Sequence, residues 1–340
     1  MRQENSKIVV TTLILIAAVL VFGFSLYGRH RRDIERQVGK SLLAVAELKA
    51  GQIADWRNER LKNAQAISEG PFFRALLSEW LDTRSPESTS KITERMSAFK
   101  RSFRCSNVLI LDPRGNVRLG LADEGPYSEL EEPKETFEKS LASGRPVLTD
   151  IHLGIRYNTP HIGVIAPVTG DDGPIGAVLL HMEAADFLYP IIDTWPFHTD
   201  SAEALLVRRE GDNVQYLSEL RHGQSPPLRT RVSLEREDVP AAMAVGGKEG
   251  VFPGTDYRGA EVLSAARHIP DSPWYIVAKI DRQEAFTRFG GHSSRIISVI
   301  FAIAVVLIAG AGFIVQRNER RRYKSLYLAE SALKENLERY

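Results

Sequence analysis

The sequence has a single cysteine, Cys105, among 340 residues. One thiol cannot form an intramolecular disulfide, and it is too few for a cysteine-based zinc site or an iron–sulfur cluster. An excess of one charge is also lacking, because 44 lysines and arginines face 43 aspartates and glutamates. Nucleic-acid-binding proteins gain affinity by neutralising phosphates, so this balance gives no support for a nucleic-acid partner.

Motifs of the common enzyme classes are missing too. The chain has no Walker loop, no Gly-x-Ser-x-Gly elbow, no His-Glu-x-x-His pair and no dinucleotide-binding fingerprint. We therefore predict no catalytic residue and no cofactor in these 340 residues.

What the chain does have is two long uncharged runs. Residues 8–28 and residues 296–316 each contain 21 residues without a charge, enough for a helix of about 30 Å that crosses a hydrocarbon core. A cleaved signal peptide is the alternative for residues 8–28, but its apolar part is usually shorter and ends at an Ala-x-Ala-like site. A buried core helix is the alternative for residues 296–316, and it is rare at this length. We predict two transmembrane helices.

Two spans place both termini on one side of the membrane and residues 29–295 on the other. Lysines and arginines flank the spans about equally on both sides, so their count does not orient the chain. Long domains are translocated largely regardless of charge. We therefore expect cytoplasmic termini and a large extracytoplasmic domain.

A long helix is predicted over residues 33–69. Its apolar residues recur at steps of three and four, and Gly70-Pro71 ends the pattern. Such a helix either packs along one domain or serves as a strut that connects an outer domain to the first span. Both interpretations can hold together.

Beyond this helix, one order of elements occurs twice. Two short strands joined by a turn, a helix and three further strands fill residues 107–183. The order returns in residues 204–281, with two further strands after the helix. Matching landmarks are Gly115 with Gly211, Gly144 with Gly247, and Pro167 with Pro270. The repeat predicts an α+β fold of two tandem units, each with an antiparallel sheet.

Four segments carry a resemblance to a known family. They are GQIADWRNER at 51–60, ALLVRREG at 204–211, DYRG at 256–259 and SPWY at 272–275. The chain resembles the double Cache (tandem PAS-like) extracytoplasmic sensor region of bacterial PAS-box sensor histidine kinases. The first segment also occurs ahead of cyclic-di-GMP enzymes. The Arg-x-Trp-Tyr pattern of amino-acid-binding Cache domains is missing, which argues against an amino-acid ligand.

The resemblance implies two PAS-like (Cache) units on a long N-terminal helix, flanked by the two transmembrane helices. The predicted ranges are a cytoplasmic N-terminus at 1–7, spans at 8–28 and 296–316, a signalling helix at 29–70, a membrane-distal unit at 71–195, a membrane-proximal unit at 196–290 and a cytoplasmic linker helix at 317–340. The implied protein is a receptor of the bacterial inner membrane that senses a small molecule. Its implied output is a histidine kinase with a response regulator as partner; a diguanylate cyclase or phosphodiesterase is the alternative.

The C-terminal segment supports a continued signalling chain. Residues 329–340, AESALKENLERY, resemble the linker helix that leads into a cytoplasmic PAS domain, and we expect the parent protein to continue beyond it. The apolar stripes of residues 33–69 and of this tail predict a homodimer, since a helix with one apolar face needs a partner.

Candidate ligand-binding residues cluster in the first unit. His152, His161 and His181 fall on three predicted strands, and Asp150 lies two residues before His152, which on a strand is the same face. Arg156 and Tyr157 occupy a loop where they could meet an anionic ligand. The predicted ligand-binding residues are Asp150, His152, Arg156, Tyr157 and His161. Packing histidines, or the zinc site of a membrane-tethered hydrolase, are the alternatives; we predict no metal site, because no second carboxylate accompanies them.

Overall fold

The computed structural model describes residues 2–121, 132–154, 158–196, 199–223, 225–289 and 293–337. The chain divides into two compact units. One contains residues 39–282 and holds both β-sheets, and the other joins residues 1–38 to residues 283–340.

The first helix, α1 (Arg2–Ser68), is continuous over 67 residues. It includes both the first uncharged run and the predicted long helix, and its end at Ser68 agrees with the stop signal Gly70-Pro71. The predicted apolar stripe is buried within the single chain, as at Val38, Leu42 and Ile53. The stripe therefore packs intramolecularly, which removes the reason given above for a dimer along this face.

Two shorter helices follow, α2 (Pro71–Thr83) and α3 (Pro86–Phe103). Each begins with proline, whose fixed φ suits the first helical turn and whose missing N–H is not needed there. The Ser85 side chain accepts a hydrogen bond from the Ser88 backbone N–H and so caps α3. Trp80 and Thr89 join the two helices by a 3.1 Å hydrogen bond.

The first sheet has six antiparallel strands, and one helix lies between them along the chain. They are β1 (Asn107–Leu111), β2 (Val117–Gly120), α4 (Lys134–Ser143), β3 (Val147–Leu148), β4 (His152–Leu153), β5 (Pro160–Gly170) and β6 (Gly173–Glu183). The strand order is β2-β1-β6-β5-β3, with β4 also paired to β5. Strands β1 and β5 are almost wholly buried, as is the middle of β6, so their apolar runs form the core around the first sheet.

The second sheet follows helix α5 (Ala184–Asp193). Its elements are β7 (Glu203–Glu210), β8 (Asn213–Tyr216), β9 (Arg231–Ser233), α6 (Pro240–Val245), β10 (Gly250–Thr255), β11 (Glu261–His268) and β12 (Trp274–Asp281). The order β10-β11-β12-β7-β8-β9 repeats that of the first sheet, with β7, β8, β11 and β12 in the places of β1, β2, β5 and β6. The predicted tandem α+β fold is confirmed.

Two helices complete the described chain, α7 (Arg282–Phe289) and α8 (Ser293–Leu337). Both α1 and α8 contain a stretch that is long and apolar enough to cross a membrane. Within the unit that holds these stretches, α1 and α8 approach closely at Gly23. A Cβ atom at this glycine would overlap the Ile300 side chain.

Candidate functional site

Three histidines form a row on one face of the first sheet. His152 on β4 pairs with His161 on β5, and His181 on β6 pairs with Gly163 of β5. Paired residues of neighbouring strands, and residues two apart on one strand, share a face. The ring centroids of His152 and His161 lie 4.0 Å apart, and those of His161 and His181 lie 4.2 Å apart with nearly parallel planes. The sheet thus brings together two predicted site residues and the third histidine.

A carboxylate that the sequence analysis missed joins this row. The Glu132 side chain has no exposed surface; its Oε2 lies 3.2 Å from His152 Nε2 and its Oε1 lies 3.6 Å from His161 Nε2. Glu132 lies just before α4, in an acidic stretch with no periodicity, and nothing distinguishes it from its neighbours in the sequence. The one usable signal is Gly163, since a glycine inside a buried strand indicates a close approach by another group.

Gly163 makes the room that Glu132 occupies. A Cβ atom at this position would lie 2.5 Å from Glu132 Cδ and 2.8 Å from Leu179 Cδ1. Real Cβ atoms do not come this close to other heavy atoms, so a larger residue would displace the carboxylate.

The two inner histidines are uncharged at neutral pH. Burial, together with the neighbouring rings of His181 and His152, lowers the pKa of His161 to about 3. Burial and the nearby His152 lower the pKa of His181 to about 4. A neutral imidazole has one nitrogen that donates and one that accepts.

Backbone carbonyls indicate which nitrogen donates. His152 Nδ1 lies 2.8 Å from the Asp150 carbonyl oxygen, and His161 Nδ1 faces the Thr159 carbonyl oxygen at 3.4 Å. A carbonyl oxygen only accepts, so the Nδ1 atoms carry the protons in these contacts. In the neutral ring of His161, Nε2 then presents a lone pair toward Glu132.

Asp150 lies two residues before His152, but its carboxylate contacts residues of the second sheet and not the histidines. The carboxylate accepts a 2.7 Å hydrogen bond from Trp274 Nε1 and forms a 2.7 Å ion pair with Arg208, which also donates to the Ile151 carbonyl. The expected shared face with His152 is absent, because β4 begins only at His152 and strand alternation does not extend back to Asp150. Asp150 instead joins the edge of the first sheet to strands β7 and β12 of the second.

Arg156 and Tyr157, the two remaining predicted site residues, lie outside the described part of the chain. The residues on either side of them meet, because the Asn158 N–H donates a 2.9 Å hydrogen bond to the Gly154 carbonyl.

A second polar group occupies the equivalent place in the second sheet. Lys279 on β12 pairs with Glu203 on β7 and Ser264 on β11, as His181 pairs with Asn107 and Gly163 in the first sheet. The buried ammonium of Lys279 lies 2.8 Å from Asp256 and 2.9 Å from Glu203. Two carboxylates therefore hold a cation that belongs to the chain itself.

A cavity of about 660 Å³ lies at the end of α5. Asp193, Glu203, Glu219 and Arg221 contribute polar groups to its wall. Glu203 already binds Lys279 and accepts a 2.6 Å hydrogen bond from the Arg221 N–H. Burial, followed by the charge of Glu219, raises the pKa of Asp193, so this acidic wall is a weaker candidate than the histidine row.

A family model described as "Cache domain" matches residues 30–289. A search of the curated proteins finds no match.

Solved structures with a similar fold are sensor regions. The ligand-binding domain of Mlp24 with asparagine is 15% identical, covers 76% of this chain and 98% of its own, and has a TM-score of 0.54. The extracellular domain of a protein designated histidine kinase vpHK1S-Z8 is 12% identical, with coverages of 79% and 99% and a TM-score of 0.52. The ligand-binding domain of the Pseudomonas aeruginosa PAO1 amino-acid chemoreceptor PctB, with L-Gln, is 15% identical, with coverages of 76% and 97% and a TM-score of 0.51.

Proposed function

Because the chain belongs to the Cache domain family, we propose that it is a transmembrane receptor whose first sheet binds a small ligand. Cache domains are extracytoplasmic sensors, and here two helices apolar enough to cross a membrane flank the domain. We place residues 29–295 outside the inner membrane and both termini in the cytoplasm.

The buried histidine row with Glu132 is the observation that carries this proposal. Ligand sites combine an apolar wall with a few convergent polar groups, and the first sheet supplies His152, His161 and Glu132 over the buried strands β5 and β6. In the second sheet the equivalent place is filled by Lys279 and its two carboxylates. The asymmetry favours the first sheet as the sensing unit.

The described part of the site bears on the charge of the ligand. An anion, one of the ligands considered from the sequence, would meet the Glu132 carboxyl group and two Nε2 lone pairs. A cation, or an anion brought in with a cation, suits these atoms better.

Contacts next to the site offer a route for the signal. Asp150 binds Trp274 of the second sheet, and the Arg57 guanidinium of α1 lies 4.7 Å from the Trp274 ring centre. We propose that a ligand preferring one arrangement of β4 shifts the population of these contacts, and with it that of α1.

For the output we propose a histidine kinase that phosphorylates a response regulator. The support is the similarity of residues 329–340 to a linker helix that precedes cytoplasmic PAS domains. A cyclic-di-GMP enzyme is the second candidate, since a segment similar to residues 51–60 also precedes such enzymes.

The test is ligand binding by the full 340-residue chain in lipid nanodiscs. A panel of the L-amino acids, short carboxylic acids, amines and divalent metal ions is screened by thermal shift, and each hit is titrated by calorimetry. We expect a hit whose affinity falls when Gly163→Leu fills the site and is unchanged by Asp193→Asn in the cavity at the end of α5. A hit with the opposite pattern would move the sensing site to that cavity.

A further inference from the structure

We propose that Glu132, His152 and His161 form a binding site for a divalent transition-metal ion of the zinc class. The binding site stands on these three side chains alone. The further step, that the ion is the sensed ligand or holds it, rests on the proposed receptor function.

The spacing of the donor atoms fits such an ion. One donor atom from each of the three residues can be chosen so that all lie within 4.8 Å of one another. Zinc bonds of about 2.0–2.1 Å in a tetrahedron separate neighbouring ligand atoms by roughly 3.3 Å. Glu132 Oε2 lies 3.2 Å from His152 Nε2, and Glu132 Oε1 lies 3.6 Å from His161 Nε2, so each histidine has a carboxylate oxygen near this separation.

The polarity of the donor atoms also points to a cation. The Nδ1 atoms of His152 and His161 face backbone carbonyls, and neither Nε2 atom makes a hydrogen bond within the described ranges. His161 is only 1% exposed, so water does not readily serve its Nε2. Two imidazole nitrogens and a carboxylate oxygen that converge in this way are ligand atoms that one metal ion can bind together.

Neighbouring residues hold the donors in place. Hydrogen bonds from a ligating histidine's other nitrogen to a carbonyl fix the tautomer and the ring orientation, as in known metal sites. His181 stacks against His161 with an interplanar angle of 25° and so supports the ring, and it is not one of the three residues whose donor atoms converge. Gly163 leaves the space in which the carboxylate meets the histidines.

In the second sheet, buried carboxylates at the equivalent position bind a cation that belongs to the chain. There, Lys279 places an ammonium between two buried carboxylates. The residue in the equivalent position of the first sheet is His181, an imidazole where the second sheet has an ammonium group. A bound metal ion would supply the charge that a lysine supplies in the second sheet.

The donor types select the class of ion. Two imidazoles and one carboxylate suit zinc and its neighbours in the first transition row, whereas magnesium and calcium prefer oxygen ligands. Three protein ligands leave a fourth position open for water or a small ligand, as in zinc sites that are not purely structural.

The experiment uses the full chain, stripped of metal with a chelator and reconstituted in nanodiscs. Zn²⁺ is titrated by calorimetry, with Mg²⁺ as the comparison ion, and bound metal is counted by mass spectrometry after gel filtration. Co²⁺ serves as a spectroscopic probe, because a tetrahedral nitrogen–oxygen site gives intense visible absorption. We expect one Zn²⁺ per chain, no competition by Mg²⁺, and a tetrahedral Co²⁺ spectrum.

The variants Glu132→Gln and His152→Gln remove one ligand each. Loss of supporting groups around a metal costs 10–100-fold in affinity, so loss of a ligand should cost more than about 100-fold. His181→Gln is the matched control: it removes a supporting histidine of the same row and no ligand, so it should cost no more than the roughly 10–100-fold of a supporting group. Circular dichroism of each variant separates a lost ligand from a lost fold.

Wild-type chain that holds no Zn²⁺, or Zn²⁺ binding that survives in the Glu132→Gln/His152→Gln double variant, would overturn the metal site. If Zn²⁺ fails while a metal-free ligand binds and is lost in Gly163→Leu, the metal site is wrong and the receptor function stands. If Zn²⁺ binds as expected but no panel member changes cross-linking between cysteines on α1 of two chains, the site stands and its role in sensing is wrong.

Discussion

The two sheets carry different polar residues at equivalent positions, Lys279 in the second sheet and His181 in the first. In the second sheet, Asp256 accepts from Lys279 and from Arg258, and its own carboxylate is almost fully enclosed. Burial alone would raise the pKa of Asp256, but the hydrogen bonds from Lys279 and Arg258 outweigh burial and lower it. The carboxylate is therefore charged in the folded protein, and its stabilising contribution is lost as pH falls through the lowered pKa.

Asp256→Asn should strongly destabilise the second sheet. Removing one partner of a buried ion pair costs about 3–5 kcal/mol, because the remaining charge stays buried. The measurement is the free energy of unfolding of the full chain in urea, followed by tryptophan fluorescence. Asp238→Asn is the control: its pair with Arg236 is half-exposed, and such pairs contribute about 0–1 kcal/mol. Equal losses in the two variants would contradict the buried network.

At the scale of secondary structure, one lysine joins α1 to the end of α5. Lys49 Nζ donates hydrogen bonds to the carbonyl oxygens of Ile191, Ile192 and Thr194 at 2.5–2.8 Å. These carbonyls belong to the C-terminal end of α5 or to its cap and have no partner within the helix. A cation at this end also interacts favourably with the negative end of the helix dipole. Burial lowers the pKa of Lys49 to about 8, against the raising effect of Asp193.

Lys49→Met should loosen α5 from α1. Hydrogen bonds to a charged group contribute about 1.5–3 kcal/mol, and we expect a loss of this size in the free energy of unfolding. Lys62→Met, at an exposed position further along the same helix, should change it by less than about 0.5 kcal/mol. Hydrogen exchange of the α5 amides locates the effect, and unchanged protection there would count against the contact.

Close approach of α1 and α8 depends on one glycine. The side chain of Ile300 occupies the place of a Cβ at Gly23, and small residues let helices pack closely in membranes. Gly23→Leu should lower the thermal midpoint of the full chain in detergent by several degrees, whereas Gly28→Leu, where a Cβ meets nothing within 4 Å, should leave it unchanged. A shift of equal size at both positions would show that helix packing at Gly23 is not the cause.

How well each element could be predicted depends on whether its signal is local. The α1 stripe and the apolar strands β5 and β6 carry their period in consecutive residues, and the sequence indicates them. Strand β10 was missed because Gly250, Pro253 and Gly254 disfavour a strand; it forms at a sheet edge by pairing with β11. Glu132 meets His152 only through the tertiary fold, and no pattern along the chain encodes that meeting.

For the whole molecule, the proposed homodimer has to use surface that the monomer leaves exposed. On α1 the residues at 40, 44, 47, 48 and 51 are exposed and recur at helical spacing, and Leu48 is 60% exposed. This stripe, rather than the buried one predicted from the sequence, is the face on which a second α1 could pack.

Cysteine cross-linking in membranes tests this face. We expect disulfides between chains for cysteine at Lys40, Ala44 and Leu48, and none at Leu42 or Ala46, which are buried. The native Cys105 should stay silent, because it is buried and burial raises the pKa of its thiol to about 11. Cross-linking without helical periodicity would argue against a dimer along α1.

The contact of Asp150 with Trp274 has a consequence for affinity itself. Binding free energies are reciprocal, so if an occupied site strengthens this contact by some factor, the contact strengthens binding by the same factor. Trp274→Phe removes the indole donor of this contact and should therefore weaken binding about 5–150-fold, the usual range of such coupling. In this respect the second sheet would set the threshold concentration at which the first sheet responds.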